Sequence, residues 1–557
     1  MDNAAIADNF SLLAKLMDIH GENSFKSKTY AVAAFNIEKL PVSLKDTPRE
    51  KLFGIKGIGE SVGRKVTEML DTGRLAALDE IIANTPPGVI EMLNIKGIGP
   101  KKIHTIWKEM NIESIGELLY ACNENRLTLF KGFGKKTQQN VQDSIEFYFQ
   151  HQGHFLYAQL GEVFPQIDNY LKKLFSPEKV QVTGRYRRQE LTLDELEFVL
   201  LEPNEIIKPK FQTAQPPELL EESADHLLFK LRNGLKLRLY TGGKSMAGEL
   251  FKTTGSTAFL SSFENAFPAI NYMEAGNAEE AIFEQAGIPF IPPCLRETAA
   301  IISHAQKNTL PALIQPGDIR SIIHSHSNWS DGSNSIEEMA KECIRRGLEY
   351  LVISDHSQTA FYANGLKEDR IREQHRYVDE LNKQLAPFKI FKSIESDILN
   401  DGSLDYPDPV LKSFDLVIAS VHSNLGMNEE KATARLLKAI ENPHTRILGH
   451  MTGRLLLSRN GYPVDHKKII EACAANQVVI ELNAHPRRLD IDWKWIGYAL
   501  EKNVLLSINP DAHALEGFDD VKYGVLAAQK GGLTKENNLS SYSLAEFETF
   551  LSKKSRR

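Results

Sequence analysis

Between residues 316 and 557 the sequence alternates short apolar runs with helical patterns, and no other feature constrains the fold so tightly. The runs lie at 320–323, 350–354, 390–393, 416–420, 446–448, 478–482 and 505–508. Segments with apolar residues at helical spacing, such as 336–346 and 467–476, separate them. A short, continuously apolar strand is buried on both faces, and helices between such strands act as crossovers of a parallel sheet. About seven such units predict an α/β domain curled into a distorted βα-barrel.

Residues with metal-ligand chemistry follow these runs. They are His324, His326 and Asp331, then His356, Glu395, His422 and His450, and finally Asp511 and His513. In a βα-barrel the C-terminal strand ends share one face, so these side chains are expected to converge there. His324 and His326 are two apart in an extended segment and point the same way. A single histidine more often packs or caps than ligates. A full set at equivalent positions of a repeating unit predicts a metal centre. Histidine and carboxylate suit manganese, zinc or iron without choosing among them.

At 557 residues, 42% hydrophobic and 25% charged, the chain has room for roughly three or four domains. Cys122, Cys294, Cys343 and Cys473 are widely spaced and form no CxxC, which fits a reducing, cytoplasmic setting. The opening MDNAAIADNF has neither a basic nor an apolar signal region, and no run approaches the ~18 apolar residues of a membrane span. A net charge of −7 excludes a uniformly basic nucleic-acid coat but leaves room for local basic patches.

Such patches occur in residues 1–150. Two short helices are expected over 9–35. Three related pieces follow, IKGIG at 55–59, IKGIG at 95–99 and FKGFG at 130–134. Each precedes a helical pattern that starts with basic residues: Arg64 and Lys65, Lys101 and Lys102, Lys135 and Lys136. The glycine pairs Gly57/Gly59, Gly97/Gly99 and Gly132/Gly134 allow tight turns and close backbone approach, and the helix N-terminus offers free N–H groups to an anion. The unit resembles the helix-hairpin-helix motif, which grips DNA backbone without reading sequence. With GENSFKSKTYAVAAF at 21–35, the region resembles the 8-kDa-type domain of family X DNA polymerases. Lys65 falls where some members form a Schiff base with an abasic sugar; an ordinary phosphate contact is the preferred reading.

Residues 180–201, VQVTGRYRRQELTLDELEFVLL, resemble the palm of the same family. The resemblance places Glu195 and Glu197 where two magnesium-binding aspartates belong, Arg185 where a serine follows Gly184, and Arg238 near the third aspartate. Thr254-Gly255-Ser256 matches a later family motif. Glutamate moves its oxygens by more than an ångström and arginine puts a cation where magnesium belongs, so the polymerase centre is expected to be inactive and free of magnesium. Arg185, Arg187 and Arg188 remain candidates for DNA phosphate contacts. Prolines in 289–318 mark a boundary near 315.

HxH, SDG, SDH, Glu, VHS, GH and DAH, in this order over about 318–530, resemble the PHP (polymerase and histidinol phosphatase) domain. NAHPRRLDIDW at 483–493 resembles the bacterial PolX form, whereas Met451 departs from a common proline. The resemblance implies three divalent ions, all nine ligands, Glu395 as a bridging carboxylate, and phosphoester cleavage. His356 and Asp511 are alternatively proton carriers. Arg454, Arg487 and Arg488 are candidates for substrate phosphate, with salt bridges as their other reading.

The expected architecture is multidomain. It comprises an 8-kDa-type helical domain at 1–80, a helix-hairpin-helix region at 81–150, a degenerate α+β nucleotidyltransferase-like core at 151–315, and an α/β PHP barrel at 316–557. The expected function is metal-dependent DNA phosphodiester cleavage, as a 3′–5′ exonuclease or 3′-end repair nuclease, with DNA as partner and no membrane. The alternatives are a working family X polymerase in base excision repair, kept open by Asp194, Glu195 and Glu197, a non-catalytic DNA scaffold, and a small-molecule phosphatase.

Overall fold

The structure is a computed structural model. It describes the chain except residues 56, 124–125, 152, 212–215, 233, 275–277, 361–362, 458–459 and 554–557, and the side chains of 120, 123, 126, 129, 146 and 149–151. Two compact units, Met1–Gln152 and Gly153–Arg557, are described separately.

The first unit is helical. Asn3–His20 is capped by the Asp2 side chain, which accepts from Ala5 N–H, and stops at Gly21 in the left-handed region. It packs against Ser24–Glu38, burying Phe10, Leu13 and Met17 with Tyr30 and Ala33. The three glycine repeats adopt one geometry. Gly57, Gly97 and Gly132 have φ of 93°, 84° and 92°. In each, the N–H two residues after the first repeat glycine's predecessor closes the turn: Ile58 to Ile55, Ile98 to Ile95 and Phe133 to Phe130. Gly59 and Gly99 are extended and begin the helices Glu60–Thr72 and Pro100–His104. The third turn leads into Lys135–His151. Lys56 lies outside the described residues.

The second unit holds two sheets. Its strands are β1 (Phe155–Leu156), β2 (Val180–Thr183), β3 (Thr192–Leu193), β4 (Glu195–Leu200), β5 (Glu218–Glu222), β6 (His226–Lys230), β7 (Lys236–Thr241), β8 (Ser321–Ile322), β9 (Tyr350–Ile353), β10 (Lys389–Asp397), β11 (Leu416–Ser420), β12 (Thr445–Leu448), β13 (Val479–Asn483) and β14 (Leu506–Asn509). A mixed sheet runs β2-β4-β7-β6-β5, with β4 and β7 parallel. The other sheet has seven parallel strands in the order β14-β13-β12-β11-β10-β9-β8. A parallel bridge between Ser325 and Ala512 joins its ends, so the barrel is nearly closed.

Alternation along the barrel strands separates two cores. Leu351, Ile353, Val417 and Leu448 pack outward against helices such as Ile336–Arg345, which is held by a Ser335/Glu338 capping box. Tyr350, Val352, Phe391, Ile418 and Ile447 pack inward. Phe547, from the C-terminal helix Leu544–Ser552, enters this inner core and stacks on Tyr350 at 4.6 Å. Tyr350, Leu416 and Val479 begin their strands, so this helix floors the barrel's N-terminal end. Buried Lys530 ties the mixed-sheet region to the barrel, donating to Glu297 at 2.6 Å and to the Arg188 carbonyl at 2.7 Å. Among the described residues, no helix is long and apolar enough to cross a membrane.

Candidate metal centre

The nine ligand-type residues anticipated from the sequence stand at or just beyond the C-terminal ends of the barrel strands, and the structure brings them together. Glu395 is their hub and is fully buried. Its Oε1 lies 3.2 Å from His324 Nε2, 3.1 Å from His422 Nε2 and 3.0 Å from His450 Nε2. Its Oε2 lies 3.0 Å from His356 Nδ1 and 3.7 Å from His326 Nε2. Asp511 Oδ1 sits 3.1 Å from His326 Nε2 and 3.4 Å from His324 Nε2. Asp331 reaches His513 Nε2 at 3.5 Å and His356 Nε2 at 3.7 Å on the more exposed side. Four overlapping groups could each hold an ion: His326/Asp331/His356/His513, His324/His326/Asp511, His324/Glu395/His450 and His356/Glu395/His422.

The donor set fits divalent cations. His324 Nε2, His356 Nδ1 and Glu395 Oε2 are buried and make no hydrogen bond, although His324 Nε2 lies 3.2 Å from Glu395 Oε1 and His356 Nδ1 lies 3.0 Å from Glu395 Oε2. Such atoms are costly unless a ligand satisfies them. The electrostatics carry the same demand. Burial by itself would raise the Glu395 pKa, but His422, His324 and His356 outweigh it and hold the carboxyl well below the usual range. Burial would lower His422, yet Glu395 and Asp397 lift it to about 10. Burial pushes His326 down to about 3, with His356 and His513 adding to the effect, which suits a neutral ligand. His324 and Asp511 also hold φ of 62° and 52°, a region that non-glycine residues occupy rarely.

Outer partners orient these rings. His422 Nδ1 is 2.6 Å from Asp397 Oδ1, and His513 Nδ1 is 3.0 Å from the Asp511 carbonyl. His324 Nδ1 is 2.6 Å from Glu481 Oε2. Glu481 is absent from the sequence-based set because it lies inside the apolar run 478–482 rather than after it, and Asp397, at the end of β10, is absent as well. A lone acid inside the apolar run Val-Val-Ile-Glu-Leu was the available signal for Glu481. Asp355, of the SDH motif, accepts from Ser327, Ser330 and Gln374 and shapes the loop carrying His326 and Asp331.

The arginines divide. Arg454 donates to Asp492 Oδ2 at 2.6 Å and to the carbonyls of Arg488 and Leu489, so it follows the salt-bridge reading. Arg488 lies 3.6 Å from Asp511 Oδ2 beside the centre, and Arg487 is exposed.

The residues expected to form a palm make a second charged cluster, on and beside the mixed sheet. Gly184 turns with φ 65°, and a Cβ there would collide with the Glu197 carboxylate. Glu197 accepts from Arg185 N–H at 2.7 Å and from the Tyr240 hydroxyl at 3.1 Å. Arg238 stands opposite Glu197 in the β4–β7 register and reaches Glu195 at 3.2 Å. Arg185 pairs with Asp194 and lies 3.6 Å from Glu195, while Lys236 reaches Asp194 at 3.4 Å. Arg187 and Arg188 do not present free guanidinium groups to DNA. Arg187 pairs with the buried Glu279 at 2.8 Å and Arg188 with the partly buried Glu297 at 2.9 Å.

Among the hairpin residues, Lys101 and Lys135 are exposed, and Lys65 Nζ lies 5.9 Å from the Tyr30 ring. Lys102 Nζ donates to the Gly97 carbonyl at 3.1 Å and braces its own turn. A Cβ at Gly59, Gly97, Gly99, Gly132 or Gly134 would meet open space, so the backbone there is approachable.

Comparison with known proteins agrees with this layout. A helix-hairpin-helix domain model matches residues 1–75, a SAM-like helix-hairpin-helix tandem model 89–146, and a PHP domain model 323–485. A probable phosphatase of Thermoanaerobacter sp. (strain X514) is 25% identical over 42% of this chain and 95% of its own length. One from Caldanaerobacter subterraneus subsp. tengcongensis is 29% identical over 29% of this chain and 60% of its own. The Bacillus subtilis protein named DNA polymerase/3′–5′ exonuclease PolX is 31% identical over 97% of each chain. Likeness sustained from the hairpins through the mixed sheet to the barrel is likeness of a whole architecture, and this chain belongs to the PolX family.

Proposed function

We propose that this chain is a metal-dependent DNA phosphodiesterase that removes nucleotides from 3′ ends, and that its palm does not polymerise. The observation that carries the first part is the two-sided Glu395, whose oxygens face different sets of imidazoles, as a carboxylate shared between ions would. The nine converging residues are proposed to hold three ions, of manganese, zinc or iron. When bound, such ions supply Lewis acidity toward a phosphoester and charge for its leaving oxygen. The protein's own part is to hold the ions and dock a phosphate oxygen on Arg488 while water attacks phosphorus and the P–O3′ bond breaks. In the alternative arrangement, where His356 or Asp511 binds no ion, that residue would pass the water's proton to the leaving O3′. The hairpin turns, with Lys65, Lys101 and Lys135, hold the DNA backbone. Four free, buried cysteines accord with a reducing, cytoplasmic setting.

The inactive palm is supported by its internal pairing. Asp194, Glu195 and Glu197 are already answered by Arg185, Lys236 and Arg238, which leaves little net charge for magnesium. The competing reading is a working polymerase. It is favoured by the carboxylates kept on β4 beside the Gly184 turn, and by the polymerase half of the Bacillus relative's name.

One gel decides between them. The protein is incubated with manganese and a 5′-labelled primer–template, with and without nucleotides, beside a His324→Ala/His326→Ala double variant. Shortening that the variant lacks, with no extension when nucleotides are added, is the expected result. Extension would overturn the inactive palm, and absence of shortening would overturn the nuclease.

A further inference from the structure

We propose that Glu481 is a positioning residue of the metal centre, one that binds no ion itself but fixes which nitrogen of His324 faces Glu395 and where His450 and Asp511 stand. The proposal rests on the reading of that centre given above. Glu481 is the middle residue of β13 and is fully buried. Its Oε2 lies 2.6 Å from His324 Nδ1 and accepts from Asn509 Nδ2 at 2.8 Å. Its Oε1 accepts from the His450 backbone N–H at 3.1 Å and from Asn483 Nδ2 at 3.0 Å. Asn483 Nδ2 also reaches Asp511 Oδ2 at 3.1 Å. One carboxylate thus bonds residues from the loops after β8 and β12 and the end of β14, and reaches Asp511 through Asn483.

The chemistry at His324 follows from what a carboxylate can do. An ionised carboxylate only accepts, so the ring nitrogen facing it carries a proton. Nδ1 is that nitrogen. Nε2 is left 3.2 Å from Glu395 and 3.4 Å from Asp511, the position of a ligand atom for a cation shared with those two acids. A histidine free to rotate or switch tautomer would lose this arrangement. His324 also holds its left-handed backbone, which an anchored ring helps to maintain.

Four donors meet two oxygens at Glu481, so glutamine is not a neutral replacement. Its single carbonyl oxygen can serve either the His324/Asn509 pair or the His450/Asn483 pair. The other pair then faces an amide NH2, donor against donor.

The test uses the full chain and manganese alone. Wild type and Glu481→Gln are stripped with EDTA, reloaded, and titrated with a competing chelator while released manganese is followed. Expected is a loss of about 10-fold or more in manganese affinity, with the circular dichroism of the stripped protein unchanged and its thermal midpoint lowered by the donors left unpaired. Primer shortening should recover as manganese is raised, which a merely structural lesion would not do. A chelator curve that superimposes on wild type, or shortening that no manganese concentration restores, overturns the proposal. If Glu481→Gln does not fold, Asn509→Ala removes one donor from Oε2, and its curve should shift about 3-fold; an unshifted curve overturns the proposal equally. The wild-type arm separates the two failures. Wild type that holds no manganese overturns the centre itself, whereas wild type and variant that hold it alike overturn only the role of Glu481.

Discussion

A carboxylate without solvent around it needs positive charge or donors on every side, and at Glu395 five imidazoles within 3.7 Å supply them. Glu395→Gln keeps the volume and removes the charge. It is expected to cut primer shortening by about 100-fold or more and to lower bound manganese, as read by elemental analysis of the dialysed protein. A second residue makes a prediction about stability. Burial lifts the Asp520 carboxyl to about 6, with Asp519 adding to the lift and Lys522 opposing it. Its folded pKa lies above its unfolded one, so the folded state holds the proton more tightly. Stability from this group is present at low pH and is lost as pH rises from about 4 through about 6. Asp520→Asn should therefore stabilise by about 1 kcal/mol at pH 8, allowing for the screening of a part-exposed group, and by almost nothing at pH 4. Urea unfolding at the two pH values checks the sign.

Elements separate what a hairpin needs for its shape from what it offers to DNA. Gly97 has φ 84°, so Gly97→Ala is expected to cost about 1–2 kcal/mol of stability in the helical unit. Gly99 is extended with φ −90°, and a Cβ there meets open space. Gly99→Ala should cost less than about 1 kcal/mol, yet weaken DNA binding at fixed salt if a phosphate rests on that backbone. Fluorescence anisotropy beside a thermal melt distinguishes the two. Many elements were legible because their burial shows in their composition. The run expected at 416–420 coincides with β11 (Leu416–Ser420). By contrast, the run at 390–393 understates β10, which continues to Asp397. Its second half, Ser-Ile-Glu-Ser-Asp, is polar because it lines the centre, so a search for apolar residues stops early. The first strand shrinks to Ser321–Ile322 because the chain departs at His324 into left-handed backbone. Arg187 and Arg188 look like a basic patch until Glu279 and Glu297 arrive from about 90 to 110 residues away, a pairing that local sequence does not display. The nine candidate ligands were legible as a set from their places after the apolar runs, while Glu481, whose contacts come from separate segments, was not.

At the scale of the whole molecule, residues 153–557 form a compact unit with their own cores. A fragment spanning that unit is expected to fold and to hydrolyse a small chromogenic phosphodiester at the full-length rate in manganese. On primer–template its KM should rise at least about 10-fold, and its dependence on salt should flatten as hairpin–phosphate contacts are lost. The barrel itself has two unlike ends. One is sealed by Phe547 and the C-terminal helix, and the other carries the candidate ligands. A floor that contributes only stability and a rim that contributes only chemistry are subject to different demands. Natural selection can reshape the rim for another ester, or lengthen its loops to meet another polymer, while the sealed end stays as it is. A protein engineer who wishes to change what this barrel cuts is free to leave its floor alone.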